Sequence, residues 1–85
     1  MSKNRFMPAK VKTEIHNTDT NSWMNYEFEN ICKGHIFRTY KTGSDTELNT
    51  DEDGYSVFKA KRNARTENGF FYTVDCEPVP HFEHN

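Results

Sequence analysis

Two candidate strand runs, 55–65 and the aromatic-rich 70–77, flank the tripeptide Glu67-Asn68-Gly69, and this is the feature that most constrains the fold. Asn-Gly between two such runs predicts a β-hairpin, because both residues tolerate the positive φ that tight hairpin turns require. Two loop lengths compete. A two-residue turn on Asn68-Gly69 would set Lys61, Asn63 and Arg65 against Cys76, Val74 and Tyr72, burying three polar side chains. A three-residue loop closed by a left-handed Gly69 instead places Ala64 opposite Tyr72, Ala60 opposite Cys76 and Phe58 near Pro78. Its outer face then pairs Lys61 with Asp75 and Lys59 with Glu77, each pair contributing about 0.2–1 kcal/mol. The three-residue register is the better one, at the cost of placing Arg62 opposite Val74, where it would have to snorkel outward.

The rest of the chain points to the same fold class. Residues 7–15 alternate, with Met7, Ala9, Val11, Thr13 and Ile15 on one side and Pro8, Lys10, Lys12, Glu14 and His16 continuing the other, which predicts one half-buried strand. Pro8 lacks an N–H and places that end on a sheet edge. Residues 16–22 read as a polar loop. A second strand begins near Trp23, with Met24, Tyr26 and Phe28 on one side. Lys33-Gly34 supplies a turn into a third strand over 35–41. A three-residue turn would join Tyr26 to Tyr40 and a two-residue turn Glu29 to Arg38, and the sequence leaves both open. Seven Phe, four Tyr and one Trp stand against a single Leu, Leu48, so the apolar supply suits pleated surfaces rather than helices.

The expected fold is therefore all-β: one small domain over residues 1–85, a five-stranded antiparallel barrel or curled sheet of the OB or SH3-like kind. One short helical turn is expected around Thr46–Leu48. Expected core residues are Met7, Val11, Ile15, Met24, Tyr26, Phe28, Ile36, Val57, Phe58, Phe70, Tyr72 and Val74. Residues 42–53 form a long acidic loop, and residues 78–85 a flexible tail. The N-terminal basic residues are followed by no apolar segment, and no run reaches membrane length, which points to a cytoplasmic protein without membrane contact. Two cysteines are too few to staple a small secreted domain.

Three constellations bear on function. Cys32-x2-His35 and Cys76-x4-His81-x2-His84 offer zinc-type ligands, but without the tight Cys-x2-Cys knuckle of structural zinc modules. Asn49-x-Asp51-x-Asp53-Gly54 matches the first half of a calcium loop, while Ala60 stands where the bidentate Glu belongs. Core thiols and an ordinary acidic turn are the better readings, and no metal or other cofactor is expected. The third is the basic run Lys59, Lys61, Arg62 and Arg65 beside Phe71. Here Asn68-Gly69-Phe70-Phe71-Tyr72 resembles the Gly-aromatic strand of RNA-binding sheets over a few residues, and cations beside aromatics are the working parts of single-strand binding folds.

No nucleophile elbow, papain-like cysteine setting or Gly-rich phosphate loop is present in the sequence, and no enzymatic activity is expected. The net charge of −2 is segregated. The leading expectation is a small binding protein that docks on a macromolecule, a protein above all, and modulates or inhibits it. Glu27, Glu29, Asp45, Glu47, Asp51, Glu52 and Asp53 would form the docking surface. In composition the chain resembles accessory proteins of viruses or mobile elements. The alternative is a nucleic-acid-binding barrel using Arg62, Arg65 and Phe71, and the second alternative a zinc-stabilised module.

Overall fold

The computed structural model describes residues 12–66, 69 and 71–79, together with the backbone of residues 3–8. Its elements are β1 (Lys3–Pro8), β2 (Lys12–Asn17), β3 (Ser22–Glu27), a single 3₁₀ turn (Phe28–Asn30), β4 (Ile36–Thr39), β5 (Phe58–Ala60), β6 (Arg65–Thr66) and β7 (Phe71–Pro78). All pairings are antiparallel, in the order β1-β7-β5-β4-β2-β3, with β6 continuing the β5 side of β7. The two ends of this path, β1 and β3, are not joined among the described residues. Of the expected antiparallel barrel or curled sheet, the antiparallel β class is present and closure is not seen among the described residues, and six strands plus a short seventh replace the expected five. No described helix is long and apolar enough to cross a membrane.

The expected single strand over 7–15 is two strands that serve different neighbours. β1 pairs with β7, whereas β2 lies between β3 and β4. The alternation still holds within β2, where Thr13 and Ile15 are buried and Lys12 is exposed. The polar loop expected over 16–22 shrinks to a four-residue turn. Asn17 Oδ1 accepts from the N–H groups of Asp19 (2.9 Å) and Thr20 (3.4 Å), and Asn21 adopts φ 53°. That Asx-type turn lets His16, Asn17 and Ser22 join the ladder.

Neither expected pairing of the second and third strands forms. After β3 the chain makes the 3₁₀ turn and seals Phe28 and Ile31 into the core at about 1% exposure or less, so β4 pairs with β2 on the far side from β3. β4 also reverses the expected parity. Phe37 and Thr39 face Ile15 and Thr13 across the ladder and are buried, while Ile36 shares the outer face with Arg38. Adjacent Ile36 and Phe37 offered two apolar parities, and the one that places Arg38 beside Glu14 is the one formed.

The C-terminal hairpin follows the three-residue register through β5: Phe58 opposes Pro78, Lys59 opposes Glu77, and Ala60 opposes Cys76. Beyond it the register slips by two. Arg65 opposes Thr73 and Thr66 opposes Tyr72, so Ala64 is not opposite Tyr72. The N–H of Lys61 still donates to the Asp75 carbonyl (2.7 Å), which leaves residues 62–64 against Val74 alone. A two-residue excursion preserves the inner and outer faces, because the side-chain period of a strand is two. It also removes the one defect of the uniform register, since Arg62 now lies 72% exposed instead of against Val74. The segment 31–35 holds the excursion in place. The N–H of Ala64 donates to the Ile31 carbonyl (2.9 Å), and that of Lys33 to Asn63 Oδ1 (2.8 Å). At the hairpin tip Gly69 has φ 81°, as expected, and its N–H donates to Thr66 Oγ1 (2.9 Å), which in turn donates to the Phe71 carbonyl (2.7 Å).

The core lies on one face of the sheet and contains Ile15, Phe28, Ile31, Phe37, Phe58, Ala60, Val74 and Cys76, with Tyr26, Ala64 and Tyr72 packed against it. Fully burying each large member stabilises by about 1.5–3 kcal/mol. Ile31, Phe37, Ala60 and Cys76 join the expected list and Val57 is buried as expected, whereas Met24 is 43% exposed and leaves it. Met24 sits on the core side of β3, but β3 is the last strand of the path. Met7, Val11 and Phe70 lie outside the residues whose side chains are described.

Residues 42–53 do not contain the expected helical turn. Instead Leu48 bridges to Tyr40, the N–H of Lys41 donates to the Glu47 carbonyl (2.8 Å), and Ser44 Oγ accepts from the N–H groups of Thr46 and Glu47. The first two residues of the expected tail, 78–85, are held by the sheet, and residues 80–85 lie outside the described residues. Pro78 belongs to β7, and the N–H of Val79 donates to the Val57 carbonyl (2.9 Å).

Candidate interaction surfaces

The outer face of β3, β2 and β4 carries a side-chain cluster that sequence reasoning missed. Antiparallel pairing sets Lys12 beside Glu27, His16 beside Trp23, and Glu14 between Asn25 and Arg38. Arg38 Nε and Nη2 both reach Glu14 Oε1 at 2.8 Å, and Tyr40 Oη donates to the same oxygen at 2.8 Å. The guanidinium lies over the Trp23 ring, 4.1 Å from its centroid, and His16 meets Trp23 edge-on. Lys12 covers the Tyr40 ring from 4.5 Å. The Glu14 and Arg38 side chains are only 14% and 15% exposed. Burial first, and then the hydrogen bond to Glu14, raises the pKa of the Tyr40 phenol above its ordinary value, while the Arg38 charge pulls the other way. The sequence did contain a signal. Glu14, His16, Arg38 and Tyr40 all fall on the even positions of their strands, which is the polar side only if β2 and β4 are neighbours.

β3 forms the edge next to this cluster. Its six residues pair with β2 in an unbroken ladder, and they include no Pro, Lys or bulge. The Tyr40 N–H donates to the Lys12 carbonyl, so Lys12 points its backbone groups at β4 and Thr13 points its own at β3. Alternation of the ladder then directs the N–H groups of Trp23, Asn25 and Glu27 outward, away from β2.

The seven acidic residues expected to act together divide into groups. Glu27 ends β3, and Glu29 follows it in the 3₁₀ turn; both are exposed. Lys12, opposite Glu27, reaches the Asp45 carbonyl at 3.4 Å and so draws Asp45 to the same end of the sheet. Glu47 is exposed just beyond. Asp51 organises a separate turn, its Oδ1 accepting from the N–H groups of Asp53 and Tyr55 at 2.9 Å each, with Glu52 and Asp53 exposed at the tip. The half-match to a calcium loop is this capped turn.

The basic and aromatic candidates share another region. Arg62 and Arg65 flank Asp75 at 3.6 and 3.9 Å, Lys61 approaches Glu77 at 4.0 Å, and Phe71 is 57% exposed. The pairing expected between Lys61 and Asp75 is replaced, because the excursion brings the two arginines to that carboxylate. Lys33, Gly34, Lys59, Ala60, Lys61 and Glu77 line an open cleft of ≈ 550 Å³ beside them.

The zinc candidates are placed apart in character. Cys76 is fully buried in the core, and Cys32 is exposed. His35 Nδ1 accepts from the Cys32 N–H at 3.0 Å, closing a local turn. His81 and His84 lie outside the described residues. Among the described residues no group of three or more His, Cys, Asp or Glu side chains could hold a metal ion. No family model, curated protein or solved structure matches the chain.

Proposed function

We propose that this chain is a non-enzymatic binding protein that takes up an extended segment of a protein partner along the β3 edge and thereby modulates or inhibits that partner. The observation that carries this reading is the six-residue β3 edge, the last strand of the path among the described residues, which holds no Pro, Lys or bulge. Natural sheets blunt such edges with lysine, proline, bulges or covering loops, because an open row of N–H and C=O groups is a template for another strand. The side chains of β3 specify the incoming strand. On the core side it would meet Met24 and Tyr26, which favour apolar residues. On the outer side it would meet Trp23, Asn25 and Glu27, with Glu29 beyond, which favour Lys or Arg. The partner is thus an amphipathic strand alternating apolar and basic residues. Exposed Glu47, Glu52 and Asp53 add to a field that speeds its approach.

The test uses a ten-residue peptide of alternating Val and Lys, with a Val–Glu peptide as control. The Val–Lys peptide is expected to bind and to protect the amides of Trp23, Asn25 and Glu27 from hydrogen exchange. Asn25→Pro removes one outward N–H and leaves the β2 ladder intact, so it should abolish binding without unfolding the hairpin. Protection located elsewhere, or equal binding by the proline variant, would overturn the reading.

A further inference from the structure

Unlike the acidic residues, several basic ones gather around one concavity. The excursion at residues 61–64 and the segment 31–35 that holds it bring Lys33, remote in sequence, to the cleft with Lys59 and Lys61. Arg62 and Arg65 continue the line. Among the described residues these five cations face two carboxylates, Asp75 and Glu77, on a chain whose net charge is −2. The carboxylates do not close the site. Asp75, 19% exposed, lies beneath two arginines that are 72% and 52% exposed, and contacts of 3.6–4.0 Å anchor the three cations loosely while leaving their donors turned to solvent.

The line ends at an aromatic ring. Phe71, Thr73, Asp75 and Glu77 alternate along β7 and share a face, and the ladder puts Arg65 and Lys59 on that face through Thr73 and Glu77. From Glu77 to Phe71 is six residues, about 20 Å at the rise of a strand. Phe71 is 57% exposed on this face.

We infer that this strip is a binding site for single-stranded nucleic acid, with phosphates along Lys33, Lys59, Lys61, Arg62 and Arg65 and a base stacked on Phe71. Cations that track a backbone beside a π-face are what such binding needs, and neither requires a particular sequence. Phosphate is favoured over peptide carboxylate because the aromatic end offers stacking to a base and nothing comparable to an acidic side chain. The site stands independently of the β3 edge, which lies at the opposite end of the strand order from β7 and β1.

The experiment is fluorescence anisotropy with a labelled twelve-nucleotide oligothymidylate, with inorganic polyphosphate and a twelve-base-pair duplex as competitors. Binding is expected to weaken steeply with salt, and the single strand should compete better than the duplex. Lys33→Glu with Lys59→Glu should weaken binding at least tenfold, and Phe71→Ala roughly five- to a hundredfold for the oligonucleotide, with polyphosphate affinity unchanged. All three positions are exposed, so the variants should keep the parent circular dichroism and melting temperature. Asn25→Pro should have no effect. No salt-sensitive binding, or binding that the double reversal leaves intact, would overturn the site. Polyphosphate competing as well as the oligonucleotide, with Phe71→Ala silent, would reduce it to a general anion cleft and overturn the nucleic-acid assignment.

Discussion

Arginine meets carboxylate in two places on this sheet, and the settings differ in nearly every respect. On β2 and β4, Arg38 holds Glu14 through two 2.8 Å contacts, is capped by Trp23, and shares its acceptor with Tyr40. On β7, Asp75 is shared by Arg62 and Arg65 at 3.6 and 3.9 Å, and both arginines stand mostly in water. In the first place the pair has been taken out of solvent by its neighbours, so each member depends on the other. In the second the solvent already screens the charges, and little is lost if one leaves. The same chemistry is packed into the structure at one end of the sheet and left in solvent at the other.

The largest effect that can break this contrast is at Arg38. Replacing it with Ala would leave Glu14 beneath Trp23 and Tyr40 without its counter-charge and remove the plane on which Trp23 rests. We expect a loss of about 2–3 kcal/mol, measured by urea denaturation, somewhat less than for a fully buried pair. A loss below about 0.5 kcal/mol would place Arg38 with Arg62 and dissolve the distinction.

What the sequence disclosed and what it hid follow the same division. The β class, the Ala60–Cys76 register and the left-handed Gly69 were all legible because local signals agreed: period-two alternation, turn chemistry and charge pairs. The Glu14–Arg38 cluster was not, because it depends on β4 pairing with β2 across residues 18–35, and no local rule sets that pairing. The two-residue excursion was half legible. Arg62 opposite Val74 was visibly wrong in a uniform register, but its remedy lies in contacts from Ile31 and Lys33, some thirty positions away. Met24 was misplaced for a related reason, since alternation names a face and does not say how far the core extends along it. Among the acidic candidates, no local signal separates Asp51, which caps its own turn, from Glu27, which ends β3.

A smaller effect sharpens the contrast by pH. Tyr40→Phe removes the hydroxyl that donates to Glu14, at an expected cost of about 1.5 kcal/mol near neutrality. The parent protein should also lose stability as pH rises past the phenol's ordinary value of 10. There the unfolded phenol has begun to ionise while the raised pKa keeps the folded one protonated, so the folded state binds more protons and stability falls with pH. The Phe variant should lack this component. Equal alkaline slopes in the two proteins would show that Tyr40 is not coupled to the cluster.

The smallest effect is expected where the arginines are most numerous. Arg62→Ala and Arg65→Ala should each change stability by no more than about 0.5 kcal/mol, and the change should shrink further in molar salt, because both side chains are largely hydrated before and after. The backbone excursion that carries Arg62 is held by the Ala64–Ile31 and Lys33–Asn63 hydrogen bonds, neither of which involves a guanidinium. A double-mutant cycle with Asp75→Asn separates the ion pair from other effects, and its coupling energy should lie within the same small range. Coupling above about 2 kcal/mol would mean that Asp75 draws the excursion into place and that its arginines are committed to the fold. They would then be unable to turn toward a phosphate without loosening the hairpin, and the strip along β7 would have to bind through Lys33, Lys59 and Lys61 alone.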